Sequence, residues 1–175
     1  MPGLLAAYVR AVDTLSAFSG RLAGWMFFAV GLFVTYEVFM RYVLTLPTVW
    51  VDEISRILQI WATYLAVAYV LRQRKHILID ITFRDATALA RRLVDTFSLV
   101  VIILFSVLAT VLGWEIWLKS TLAGHTTDSY LAVPKVFIES SIWIGFGLTS
   151  AQAVAEIIKT WSGMPVPAPG HDGEA

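Results

Sequence analysis

Four stretches of this chain are apolar for long enough to cross a lipid bilayer, and nothing else in the sequence limits the fold so tightly. A hydrocarbon layer of roughly 30 Å takes about twenty helical residues at about 1.5 Å each. The windows fall at approximately 22–44, 52–71, 94–118 and 136–158. Backbone polar groups in hydrocarbon must be satisfied within the chain, so runs of this length are read as helices. Composition agrees: 58% of residues are hydrophobic and only 15% charged, too little polar surface to coat a soluble globule. The expected fold is an all-α integral membrane protein with four transmembrane helices. Residues 1–161 are expected to form one membrane domain. The Pro/Gly-rich "SGMPVPAPGHDGEA" makes 162–175 a disordered cytoplasmic tail.

The first window does not read as a cleaved signal peptide. A twenty-residue mixed segment precedes it, and no small-residue cleavage site follows "GLFVTYEVFMRY". Within that lead-in, Leu4, Leu5, Tyr8, Val12 and Leu15 recur at helical spacing. Two readings stay open: an interfacial helix, or an early start of helix 1. The segment 76–92, "HILIDITFRDATALARR", is too short and too charged to span. Its Ile77, Leu78, Ile81 and Phe83 suggest a piece lying along the interface, with Asp85 an N-cap candidate for the third helix.

Basic residues set the orientation. Arg72, Arg74, Lys75, Arg84, Arg91 and Arg92 lie between spans 2 and 3, with Arg10 and Arg21 before span 1 and Lys159 after span 4. The smaller set, Arg41, Arg56, Lys119 and Lys135, falls on the other side. Both termini are therefore expected in the cytoplasm. Trp25 and Trp161 would mark the inner interface, and Tyr42, Trp50, Trp114 and Trp117 the outer one.

Ionisable groups inside a membrane are costly, so each is a candidate for function. Glu37 lies about 24 Å along the axis from Arg21, close to the outer edge, with Arg41 one turn on as an i,i+4 partner. Glu53 and Arg56, three apart at the start of span 2, can pair as well. The short "TLPTVW" turn would let all four join as one network. Structural attachment of helix 1 to helix 2 is the favoured role; a proton or ion relay is the competing one. Glu115 and Glu139 also fall near the outer rim, Asp95 and Glu156 near the inner one. The expected bilayer centre holds Gln59, Thr63, Ser106, Thr149 and Gln152 but no charge, although transporters keep their solute and ion sites there. Small residues recur every fourth position at Ser16, Gly20 and Gly24, at Gly147, Ala151 and Ala155, and at Ala62 and Ala66, which marks faces where helices approach closely.

Several classes find no support. The chain has no Cys, and its three His fall in loops or the tail, away from any haem-ligating position in the spans. No zinc spacing, phosphate-cradling loop or catalytic triad is present, and no basic-aromatic segment suits nucleic acid. No cofactor is expected, and no enzyme. An autonomous four-helix proton-coupled carrier using Glu37 is the alternative function.

The stretch "EVFMRYVLTLPTVWVDEISRILQIWATYLAVAYVLRQRKHILIDI", Glu37 to Ile81, resembles the small membrane subunit, DctQ-type, of tripartite ATP-independent periplasmic (TRAP) transporters. The resemblance rests on Arg41-Tyr42, then Pro47 and Trp50, then Asp52, Glu53 and Arg56. Trp61 follows, and after Arg72 and its basic neighbours come His76, Ile77 and Asp80. The loop from Gly124 to Pro134 is similar to a weaker later part of the pattern; Glu139 departs from the apolar opening of span 4. The resemblance implies a non-catalytic permease subunit in a bacterial inner membrane. Its partners would be a large DctM-type membrane subunit, a periplasmic solute-binding protein and the bilayer. Sodium coupling and solute sites would belong to the large subunit, and the solute would be an organic acid, often a carboxylate. Glu37, Arg41, Trp50, Glu53, Arg56, Arg72, His76 and Asp80 are the expected structural or interface residues.

Overall fold

In a computed structural model of the protein, residues 2–73 and 88–162 are described. They form four helices: α1 Pro2–Tyr42, α2 Val49–Arg72, α3 Ala88–Leu122 and α4 Val136–Ser162. All four are long and apolar enough to cross a membrane. The lead-in is not a separate element. α1 starts with Pro2, which suits a first helical turn because its missing N–H would be unpaired there anyway. It then runs unbroken for 41 residues, about 60 Å of helix. α3 likewise takes in residues 88–92, placed in the interfacial segment by sequence; the rest of that segment, with Asp85, lies outside the described residues.

The helix ends follow from local chemistry. α1 stops at a tight turn in which Leu46 N–H donates to Met40 O at 3.0 Å and Thr45 takes φ 55°, just before Pro47. Thr48 is the extended N-cap of α2, with Asp52 in the first turn where the helix dipole favours an acid. α3 ends in a Schellman arrangement. Gly124, at φ 65°, donates to Thr121 O, and His125 N–H donates to Ser120 O, both at 3.1 Å. The following loop closes on itself through Thr127 N–H to Val133 O at 2.9 Å and Lys135 N–H to His125 O at 3.0 Å.

Among the described residues α4 is the central helix, packing closely on all three others, whereas α3 packs closely on α4 and meets α2 only where Leu99 and Leu71 share a cluster with Ala153. α1 and α2 form an antiparallel hairpin in which Ser19 Oγ donates to Leu65 O at 3.2 Å and Ala23 meets Ala62 and Leu65. α2 runs parallel to α4: Trp61 Nε1 donates to Phe137 O at 2.7 Å near one end, and Leu71 meets Ala153 near the other. Two glycines set the closest approaches. A Cβ on Gly20 would fall 2.2 Å from the Tyr69 ring, and one on Gly145 would fall 2.6 Å from Tyr64 Cβ. The spaced rows are only partly used: Gly24 faces open space. Both termini emerge at one end of the bundle, and the α1–α2 and α3–α4 connections lie at the other.

Candidate functional site

Among the described residues the buried acids and bases gather in three places, two at the loop end and one at the terminal end. At the loop end Glu37 is 5% exposed. One carboxylate oxygen accepts from Arg41 Nη2 at 2.7 Å and Nε at 3.0 Å. The other accepts from the Thr48 backbone N–H at 3.0 Å and from the Thr48 hydroxyl. Thr48 thus gives its hydroxyl to Glu37 instead of capping its own helix, and α1 is tied to the start of α2. Arg41 reaches Asp52 at 3.8 Å, and its side chain stays 47% exposed.

Glu53 is bound differently from the sequence-based expectation. It makes no pair with Arg56. Its carboxylate accepts from Thr127 Oγ1 at 2.8 Å, from the Ser129 hydroxyl and from Leu131 N–H at 3.2 Å. The physical reason is access. The closed loop after α3 delivers one backbone and two hydroxyl donors to Glu53, while Arg56 lies on an exposed face. So Glu37 with Arg41 and Glu53 with the loop are separate joints, not one network of four side chains. Trp50 stacks near Phe33 and Tyr36, at centroid distances of 5.9 and 6.2 Å. Arg72 is half-buried in the last turn of α2. His76 and Asp80 lie outside the described residues, as do Arg74 and Lys75.

The third cluster joins α1 to α4 and was not anticipated. Lys159 Nζ donates to Asp13 Oδ1 at 2.6 Å and to Glu156 Oε1 at 2.7 Å. Gln152 Nε2 donates to the same two oxygens at 2.9 and 2.8 Å, and Gln152 Oε1 accepts from Ser16 Oγ at 2.7 Å. Side-chain exposure is 1% for Lys159, 0% for Glu156 and 19% for Asp13. By sequence Lys159 was an orientation residue at the inner surface. The usable signal was Gln152, Glu156 and Lys159 at i, i+4 and i+7, one face of a helix, beside the small Ala151 and Ala155. Next to the cluster Tyr8 donates its hydroxyl to Ala151 O at 3.0 Å.

At mid-bundle a groove of about 560 Å³ separates α2 from α3 over a floor of α4. Its walls are apolar, and its hydroxyls are already engaged by their own helices. Thr63 donates to Gln59 O, Ser106 to Ile102 O and Thr149 to Gly145 O, at 2.7, 2.7 and 2.8 Å. Among the described residues no group of three or more His, Asp or Glu is arranged to hold a metal ion.

A bundle of four spanning-length helices with exposed apolar flanks defines a multi-pass membrane protein. Residues 30–163 match the family of tripartite ATP-independent periplasmic transporters, DctQ component, and the chain belongs to that family. It is the small permease subunit of a tripartite transporter and not an enzyme. The match begins within α1, so Asp13 and Ser16 lie outside it and Gln152, Glu156 and Lys159 inside. A comparison with curated protein sequences returns no match.

Proposed function

We propose that this subunit is a non-catalytic scaffold for the large membrane subunit of a sodium-coupled importer of an organic acid, a carboxylate being the favoured class. It sits in a bacterial inner membrane with both termini in the cytoplasm, as the basic residues at the terminal end favour. A soluble binding protein delivers the solute from the periplasmic side. The single observation carrying this reading is the use made of the buried charges: Glu37 ties α1 to Thr48, Glu53 ties α2 to the loop after α3, and Lys159, backed by Glu156 on its own helix, ties α4 to Asp13 of α1. Groups tied into such joints hold helices at fixed separations, as a wall beside a moving transport domain requires. The groove at mid-depth offers a solute only apolar walls and engaged hydroxyls. Glu37, the acid an autonomous proton-coupled carrier would use, is held by Arg41 and Thr48 at the loop end.

Reconstitution tests the proposal. Liposomes holding this chain alone should show no solute flux. Adding the large subunit and the binding protein should give sodium-dependent uptake of a carboxylate retained by that binding protein. Solute-specific flux through this chain alone would overturn the scaffold reading.

A further inference from the structure

Exposed polar groups at membrane depth are the exception in this chain. On α2, Asp52, Arg56, Gln59, Thr63, Val67 and Val70 are all exposed and follow the three-and-four spacing of one helix face. Gln59 lies about 14 Å along the helix from Trp50, near the middle of a layer of roughly 30 Å. Its side-chain amide has no hydrogen-bond partner among the described residues, and Arg56, about 9 Å along, has no ion pair there. The outward faces of the neighbouring helices differ in kind. Phe28, Leu32 and Phe39 on α1, and Phe97, Leu104 and Leu108 on α3, carry nothing that needs a hydrogen bond. Those faces suit lipid. A side-chain amide in hydrocarbon does not, because its lost hydrogen bonds with water go unreplaced. Arg56 is long enough to reach the headgroup layer. Gln59 is not, so its amide is the group that lipid leaves unsatisfied.

The same face continues into the groove. Thr63, Val67 and Val70 form one wall, Val101 and Phe105 of α3 the other, and Phe146 of α4 lies between them. Among the described residues α2 and α3 approach each other only through the side chains gathered around Leu71, Leu99 and Ala153, and away from that cluster the groove opens sideways toward the bilayer. We infer that this face of α2, with its groove, receives a transmembrane helix of the large membrane subunit. That helix is apolar, with a hydrogen-bonding side chain opposite Gln59 and an acid opposite Arg56. The inference rests on the scaffold reading above and adds the surface through which it works. An acyl chain would fill the groove equally well but gives an amide at mid-depth nothing to bond.

Crosslinking in membranes that contain the complete transporter is the test. A photoreactive benzoylphenylalanine is placed singly at position 59, 63 or 67, and for comparison at 28 or 104. Adducts with the large subunit are expected from 59, 63 and 67, and none from 28 or 104. In parallel Gln59→Leu should weaken the affinity for the large subunit roughly three- to twentyfold, the equivalent of one interhelical hydrogen bond in a membrane. Co-purification with adducts only from 28 or 104, or with lipid adducts only from 59, 63 and 67, would overturn the assigned face and leave the scaffold reading standing. Unchanged affinity in Gln59→Leu would also count against that face. A wild-type chain that never retains the large subunit would overturn both.

Discussion

The two ends of the bundle solve one problem with the same chemistry in different surroundings. At the terminal end Lys159 and Glu156 are almost entirely enclosed between α1 and α4, with Asp13 as a second acid on Lys159. At the loop end the guanidinium of Arg41 is about half open, and Glu37 has Thr48 as a second source of hydrogen bonds. Water can replace Arg41. It cannot reach Lys159. An enclosed ion pair gives little net stability when intact, but it is costly to break from one side. A half-open pair is worth little in either direction. The terminal end is therefore the brittle joint and the loop end the tolerant one.

The largest expected effect follows from removing the enclosed cation. Lys159→Ala removes the enclosed cation that Glu156 and Asp13 share, and should cost about 3–5 kcal/mol. Unfolding of the purified chain in detergent measures it. Replacing the set together, with Asp13→Leu, Glu156→Leu and Lys159→Met, should recover most of that loss, because none of the three enclosed charges is then left to be compensated. A triple variant less stable than Lys159→Ala would break the comparison. Asp13→Ala comes next. Lys159 keeps Glu156, and Gln152 keeps both Ser16 and Glu156, so the expected cost is about 1–3 kcal/mol in the same assay.

Why was one end legible in the sequence and the other not? Four spans were readable because each needs about twenty apolar residues in a row, a local property. Glu37 and Arg41 are four apart on one helix, so their contact was readable too. Glu53 also had a local candidate in Arg56, but loop donors 74 to 78 residues away took the carboxylate. The terminal cluster joins residues separated by 136 to 146 positions. Lys159 ends an apolar run and reads as an orientation signal; Asp13 sits in a mixed lead-in and reads as surface. Only the antiparallel placement of α1 on α4 gives them to each other. The face of α2 was half visible. Gln59 stood out as a polar residue at mid-span, but that it points away from its own bundle is a matter of packing.

Glu53 sharpens the comparison from the loop side. Glu53→Ala removes the acceptor shared by Thr127, Ser129 and the Leu131 amide. The helices should stay assembled, because the α2–α4 contact at Gly145 and the Trp61 bond to Phe137 do not involve Glu53. The local consequence should be plain: hydrogen exchange at the Leu131 amide should speed up, while exchange in the middle of α4 should not change. Acceleration in α4 would mean that this loop supports the bundle as firmly as the terminal cluster does.

The smallest effect is expected for Arg41→Ala. Glu37 would keep its backbone and hydroxyl bonds from Thr48, and its unpaired charge would lie close to water near the end of α1. Unfolding should change far less than in Lys159→Ala, and assembly with the large subunit should persist. Salt separates the two ends further. Mobile ions screen a half-open pair and leave an enclosed one almost untouched. Raising ionic strength should therefore shrink the difference between wild type and Arg41→Ala and leave the Lys159→Ala deficit as it was. If Arg41→Ala instead abolished co-purification of the large subunit, Arg41 would be a contact with that partner, and its exposure here would be the vacant half of an interface.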